Sequence, residues 1–180
     1  ASLAVSLAPV ALRLKLEECH YKVWELFKKH HYLRGDINPA ARCFVVRLIS
    51  DDEGDYEGDD APVVAFTSRV SQFGNQAFRE HRTVVLPAYQ ALGIGSRVAE
   101  TIARAHVQQG KLWYSRTAHE RFGRSREASS QWMASTFNKR ATGQASSYLA
   151  GEAAERVAYS HMFVGDERDR ELFLRGGPSA

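Results

Sequence analysis

The 180-residue chain has only two cysteines, Cys19 and Cys43, and no CxxC. That excludes a disulfide framework and makes a reducing, cytoplasmic compartment the expectation. No apolar run reaches the roughly 18 residues that a membrane span needs. The apolar opening ASLAVSLAPVAL has no basic region before it and reads as an extended lead-in rather than a signal peptide. Nucleotide signatures are missing as well. There is no GxxxxGKS or GxxxxGKT, and no GxGxxG, because Val98 stands three residues after Gly95. The seven histidines include neither HxxxH nor HExxH. His30 and His31 are adjacent, about 100° apart on a helix, and no metal is expected. A site built from His31, His81 and His119 is the one metal arrangement the pattern leaves open.

What is present fits one globular domain over residues 1–180, with a core from about 10 to 165 and a charged tail from 166. Hydrophobic residues make up 44% and charged residues 25%, ordinary for a packed domain. The net charge of +3 is unevenly spread. Residues 69–140 hold 12 Lys or Arg against 4 Asp or Glu, a local balance of +8. The rest is acidic, above all in DDEGDYEGDD, which reads as a solvated loop. A basic middle of that strength attracts polyanions.

Periodicity orders the chain. Val10 to Glu17 alternates as a half-buried strand. From Glu18 to His31 the pattern predicts an amphipathic helix ended by RGDINP. RCFVVRLI and APVVAFTSRV read as an antiparallel pair, and EHRTVVL as a further strand. A helix is predicted over 93–109, with Ile94, Val98, Ile102 and Ala105 on its apolar stripe. KLWYSRT follows as a strand. SREASSQWMAST predicts a helix capped by Ser125, and RVAYSHMFVG a last strand. The fold class is mixed α/β, a β-sheet flanked by helices with one strand–helix–strand crossover from Glu80 to Thr117.

The crossover contains QALGIGS, a glycine turn that opens a helix. Unpaired N–H groups at such a turn suit a phosphate or pyrophosphate, and Gly93 and Gly95 clear the approach. A tight turn with close helix packing accounts for the same two glycines. The full stretch VVLPAYQALGIGSRVAE is more specific. It resembles the acetyl-CoA-binding motif of the GNAT family of N-acetyltransferases: Gln90, then Gly93, then Gly95, preceded by Val85, Pro87 and Tyr89. The resemblance implies an acyl-CoA, acetyl-CoA in the first instance, as co-substrate. It implies that Gln90 belongs to the cofactor site and that the amides of Ala91, Leu92, Gly93, Ile94, Gly95 and Ser96 hold the CoA pyrophosphate. It also implies that Val84, Val85 and Leu86 pair their main chain with the pantetheine arm. Many members carry Gly where this chain has Ala91.

KHHYLRG, REHRTVVLP and YSRTAHERFGRSREASSQW look like a narrower branch, the phage Mom-type DNA-modifying proteins and the acetyltransferase-like domains fused to ABC ATPases. That likeness implies roles for His30, His31, Tyr32 and Arg82, and an acceptor amine on DNA or RNA. Acyl transfer needs a base for the amine, a donor for the oxyanion and an acid for the thiolate. Candidate bases are Glu80 and its rival His81. Strict alternation would put Glu80, Arg82 and Val84 on one face and His81, Thr83 and Val85 on the other. The family's usual Tyr acid falls where this sequence has Trp132, so Tyr32, Tyr114 and Ser115 are substitutes. Arg121, Arg124, Arg126, Lys139 and Arg140, with Phe122 and Trp132 between them, suit a nucleic acid, the 3′-phosphate of CoA or a solvated surface. The alternative is a non-catalytic module of the same fold in a nucleic-acid or ribonucleoprotein assembly.

Overall fold

A computed structural model of the protein describes residues 12–33, 35–49, 61–141 and 157–166. The lead-in, the acidic run, most of the polar stretch before the last strand and the charged tail lie outside them. Eight strands occur among the described residues: β1 (Arg13–Cys19), β2 (Arg42–Ile49), β3 (Val63–Gln72), β4 (Ala77–Val85), β5 (Leu112–Thr117), β6 (Trp132–Ala134), β7 (Arg140–Ala141) and β8 (Val157–Phe163). The sheet runs β1-β2-β3-β4-β5-β8-β6, and β7 pairs with β8 outside that path. Every pairing is antiparallel except β4 with β5. The helices are α1 (Trp24–Phe27), α2 (Ile94–Val107) and α3 (Glu120–Glu127). The mixed α/β class and the crossover β4–α2–β5 are as the sequence predicts.

The two faces of the sheet carry separate apolar clusters. Val46, Val64, Phe78 and Trp113 pack with Ile94, Val98, Ile102 and Val107 of α2. Val45, Phe66 and Val84 pack with Trp24 and Phe27 of α1 on the other face. Successive residues such as Val45 and Val46 point to opposite faces. That is why β2 and β3 read as continuous apolar runs rather than as alternation.

Several boundaries differ from the expectation, each for a local reason. The strand expected over Val10–Glu17 continues to Cys19, which pairs with Cys43. The predicted first helix shrinks to α1 between two 3-10 turns, Tyr21–Val23 and Lys28–His30. Its buried aromatics, Trp24 and Phe27, are three residues apart, which suits the three-residue turn. On α2 the buried stripe includes Ala99 and Ala103, while Ala105 is exposed. The helix predicted from Ser125 instead begins at Glu120. His119 caps it, its Nδ1 accepting the Phe122 N–H at 3.3 Å. Trp132 consequently lies on β6. Gly123 explains the close seat of α3 on β8, since a Cβ there would stand 2.1 Å from the Tyr159 ring.

Candidate active site

β4 and β5 pair only through Ala77–Arg79 and Leu112–Tyr114, then separate. A cleft of about 620 Å³ occupies the fork. Leu86 donates its N–H to the Val64 carbonyl at 2.9 Å, which makes Val64–Leu86 a bonded pair and Ala65–Val85 the non-bonded kind. The Val85 and Thr83 amides therefore point away from β3, into the fork. Val85 Oxygen accepts from Gln90 Nε2 at 2.9 Å, which ties the turn to the strand. The Val85 N–H remains available as an oxyanion donor.

The turn after β4 is built to present main-chain donors. Ala91 and Gly93 have φ of 65° and 75°, both left-handed. No N–H group from Ala91 to Ser96 has an acceptor among the described residues, and Arg97 is the first to close a helical bond, onto the Gly93 carbonyl at 3.1 Å. The row of donors sits at the positive end of α2, which suits a pyrophosphate. A Cβ at Gly95 would meet Val85, Phe122 and Thr83 only at 3.5–4.0 Å, so protein packing does not demand glycine there. Gly93 is demanded by its φ. The residues present therefore fit the CoA that the motif implies.

At the apex of the fork lies a buried polar knot. Glu80 Oε2 accepts from Arg126 Nη2 at 2.5 Å and from Ser115 Oγ at 3.1 Å. Ser115 in turn accepts a hydrogen bond from Arg126 Nη1. Thr83 Oγ1 donates to Glu80 Oε1 at 2.7 Å. Arg126 is 3% exposed, and its guanidinium is sandwiched by Phe122 and Trp132 at 4.0 and 4.6 Å. Burial pushes it below the ordinary arginine value, while Glu80 draws it back up. This placement corrects two expectations. Arg126 has no surface to offer a nucleic acid. Ser115, 1% exposed and bound to both partners, is a strut rather than a reagent.

The Glu80–Thr83 bond also corrects the alternation along β4. The register with β3 jumps between Ser68–Arg82 and Arg69–Glu80, leaving His81 as the extra residue of a bulge. Glu80, Thr83 and Val85 consequently share the α2 side. Arg82 and Val84 take the α1 side, Val84 in the α1 cluster. His81 Nε2 accepts the Asn38 N–H at 3.1 Å, so its lone pair is engaged. Burial first, then Arg82 and Arg79, pull His81 down to about 4.

On the α1 side the wall is made of His31, Tyr32, His81, Arg116 and His119, with Lys29 at its rim. His31 Nδ1 accepts from the Leu33 N–H at 3.1 Å and its ring lies 4.7 Å from Tyr32. Burial holds His31 below its ordinary value, helped by Arg82 and His119. Tyr32 Oη accepts the Ala118 N–H at 3.3 Å, leaving its proton free to donate. The structure thus gathers His31, Tyr32 and Glu80 at one cleft, whose lining does not include Arg82. Tyr114, on β5, pairs with Met162 of β8 and does not line the cleft. Among the described residues no three His, Cys, Asp or Glu side chains group as metal ligands.

The surface arginines do not form one patch. Arg121 lines the cleft. Arg124 pairs with Glu120 at 2.6 Å, Lys139 with Glu127 at 3.1 Å, and Arg140 lies 5.1 Å over the Phe137 ring. Sequence reasoning passed over Lys29 and Arg116 in the cleft wall, where Tyr89, His119 and Phe122 also stand. The signal for Arg116 was its place at the carboxyl end of the strand after the crossover.

No protein-family model matches the sequence, and no curated protein matches it. Solved structures do match in shape. The ribosomal-protein-S18-alanine N-acetyltransferase of Escherichia coli superposes with a TM-score of 0.57 at 10% identity, over 84% of this chain and 93% of that one. The spermidine/spermine N-acetyltransferase of Vibrio cholerae gives 0.55 at 9% identity, over 90% and 95%. An acetyltransferase of Bacillus subtilis in complex with CoA gives 0.51 at 10% identity, over 86% and 99%. The chain has the fold of the GNAT acetyltransferases. No helix among the described residues is long and apolar enough to cross a membrane.

Proposed function

We propose that the protein is an acyl-CoA-dependent N-acyltransferase. The observation that carries this reading is the row of amides from Ala91 to Ser96, unpaired among the described residues, beside the inward Val85 N–H. Acyl-CoA would supply an acyl group activated as a thioester. The turn amides would hold its pyrophosphate, and Val85 would donate to the carbonyl oxygen as negative charge builds there. Glu80, its carboxylate fixed by Arg126 and Thr83, takes the proton released as the acceptor nitrogen bonds to the acyl carbon. Tyr32 Oη gives a proton to the departing sulfur. His81 is a poor base here, because its Nε2 lone pair is already used.

The acceptor we infer, at the finer level, is an amine on DNA or RNA. The +8 balance of residues 69–140 and the exposed Arg121 and Arg140 support it. A polyamine, for which the Vibrio neighbour is named, would meet the positive wall of Lys29 and Arg116. Calorimetry with acetyl-CoA tests the reaction class. The protein should bind it, and Gly95→Glu should weaken binding at least about tenfold by placing a carboxylate against the pyrophosphate. Unchanged affinity in a folded Gly95→Glu protein defeats the reading. A mobility shift that weakens steeply with salt tests the nucleic-acid acceptor.

A further inference from the structure

We infer that His161 is a positioning residue for Glu80: its uncharged ring, packed beside Ser115, lets Arg126 hold the carboxylate, and a proton on that ring unseats Arg126. This rests on the proposed role of Glu80 as base, and adds what keeps that base in place.

His161 is 1% exposed, and both of its ring nitrogens are buried without a hydrogen-bond partner among the described residues. A neutral imidazole has one N–H to donate and one lone pair to fill, so such a ring is unusual inside a protein. Its place is fixed by register. On β8 it stands opposite Ser115 of β5 on one side and Ala134 of β6 on the other. Side chains of opposed residues share a face of the sheet, with Cβ atoms about 4.5–5.5 Å apart. The residues two places away on β8 mark which face. Tyr159 lies against Gly123 of α3, and Phe163 packs edge-on against Trp132 at 5.0 Å. The ring therefore sits beneath α3, on the side of the sheet that carries the polar knot.

Ser115 Oγ is already in use. It accepts from Arg126 Nη1 and donates to Glu80 Oε2 at 3.1 Å. A protonated ring presents two N–H donors, and the acceptor that register puts beside it is that same oxygen. His161 and Arg126 would then compete for one oxygen, and two cations would share one carboxylate. The other charged groups around the ring are engaged. Glu127 of α3 takes Lys139 at 3.1 Å and Asn138 Nδ2 at 3.0 Å. Glu100 of α2 accepts from Trp132 Nε1 at 3.4 Å, and Arg104 of α2 pairs with Asp166 at 2.8 Å. Tyr159, on β8 itself, is directed to Arg124. Burial first, then Arg126, hold His161 below its ordinary value of 6.5, against an opposite pull from Glu127. A group held down in this way stabilises the fold fully above 6.5, and the contribution is lost as pH falls through the folded value. Glu80 is thus held at neutral pH and released in acid.

The test follows the His161 ring and the Arg126 side-chain N–H resonances by NMR as the pH is lowered from about 8 toward acid unfolding. The ring should remain mostly neutral at 6.5, and the Arg126 resonances should shift with the His161 midpoint. In His161→Gln and His161→Leu, neither of which can take the charge, Arg126 should keep its native resonances at neutral pH and lose that shift. Arg126 resonances that stay fixed down to acid unfolding overturn the inference. So does a shift that persists at the same pH in a folded variant, since Glu80 itself would then be its source. A ring that titrates at 6.5 or above overturns it too. If neither variant folds, the two midpoints in the native protein decide alone. Failure of acetyl-CoA binding in calorimetry would defeat the transferase reading instead, because these resonances are read without cofactor.

Discussion

The two sides of the cleft are made of different material. The α2 side offers main chain: a left-handed turn, amides unpaired among the described residues and a helix end, with Gln90 tying the turn to β4. The α1 side is made of side chains that arrive separately, from the turn at Lys28–His30, from the β4 bulge, from β5 and from the cap of α3. Backbone recognition depends on dihedrals over a few consecutive residues. Side-chain recognition depends on where distant segments meet. The first side can tolerate changes in most of its side chains, and the second cannot.

Arg126→Ala attacks the buried knot on the α2 side. Removing one partner of a buried ion pair should cost about 3–5 kcal/mol in urea unfolding, because Glu80 is left buried and uncompensated. The paired change Arg126→Met with Glu80→Leu should recover most of that loss. If Arg126→Ala unfolds at the native midpoint, the knot does not hold the α2 side together.

Tyr32→Phe separates the sides. Turnover should fall about a hundredfold while acetyl-CoA affinity stays the same, since a general acid acts only as the bond to sulfur breaks. His31→Ala and Arg82→Ala should show the same split with smaller losses. Normal turnover in all three would remove this wall from the chemistry.

His81 offers a pH reading confined to the α1 side. Its folded value, about 4, is below the ordinary 6.5. Between those values the unfolded chain binds the proton and the folded one does not, so stability falls as pH drops from 6.5 toward 4. Above 6.5 the contribution is fully present. The midpoint of urea unfolding should lose part of this slope in His81→Gln. An identical slope would show that His81 titrates normally.

The smallest effect sharpens the main-chain side. Ala91 occupies the left-handed region, where a Cβ costs about 1–2 kcal/mol. Ala91→Gly should raise stability by up to about 1 kcal/mol, offset in part by the freer unfolded chain, and leave turnover unchanged. A loss of stability on thermal unfolding would contradict the strain.

Local pattern carried the main-chain half of the site. Gln90, Gly93 and Gly95 were legible because the turn uses dihedrals and spacing, both written in consecutive residues. The mixed sheet and the crossover were legible from apolar periodicity. Arg126 was not. In the sequence it is one of several arginines in RFGRSRE, and nothing local distinguishes a buried guanidinium from a solvated one. Only the seat of α3 on β8, allowed by Gly123, swings it beneath Phe122 and Trp132 to Glu80. The start of α3 was placed at Ser125 rather than Glu120 because a histidine caps it.

By itself the sequence determined the main strands, the crossover and the strand–turn–helix whose amides face the cleft, but not β6 or β7, because hydrogen-bonding geometry and turn dihedrals are properties of neighbouring residues. Tertiary structure decided which charges are buried, which face Arg82 takes and which groups make the acceptor wall. The bulge at His81 is the clearest case. One extra residue against β3 shifts the alternation of β4, and that shift comes from strand register, a relation between residues far apart in the chain.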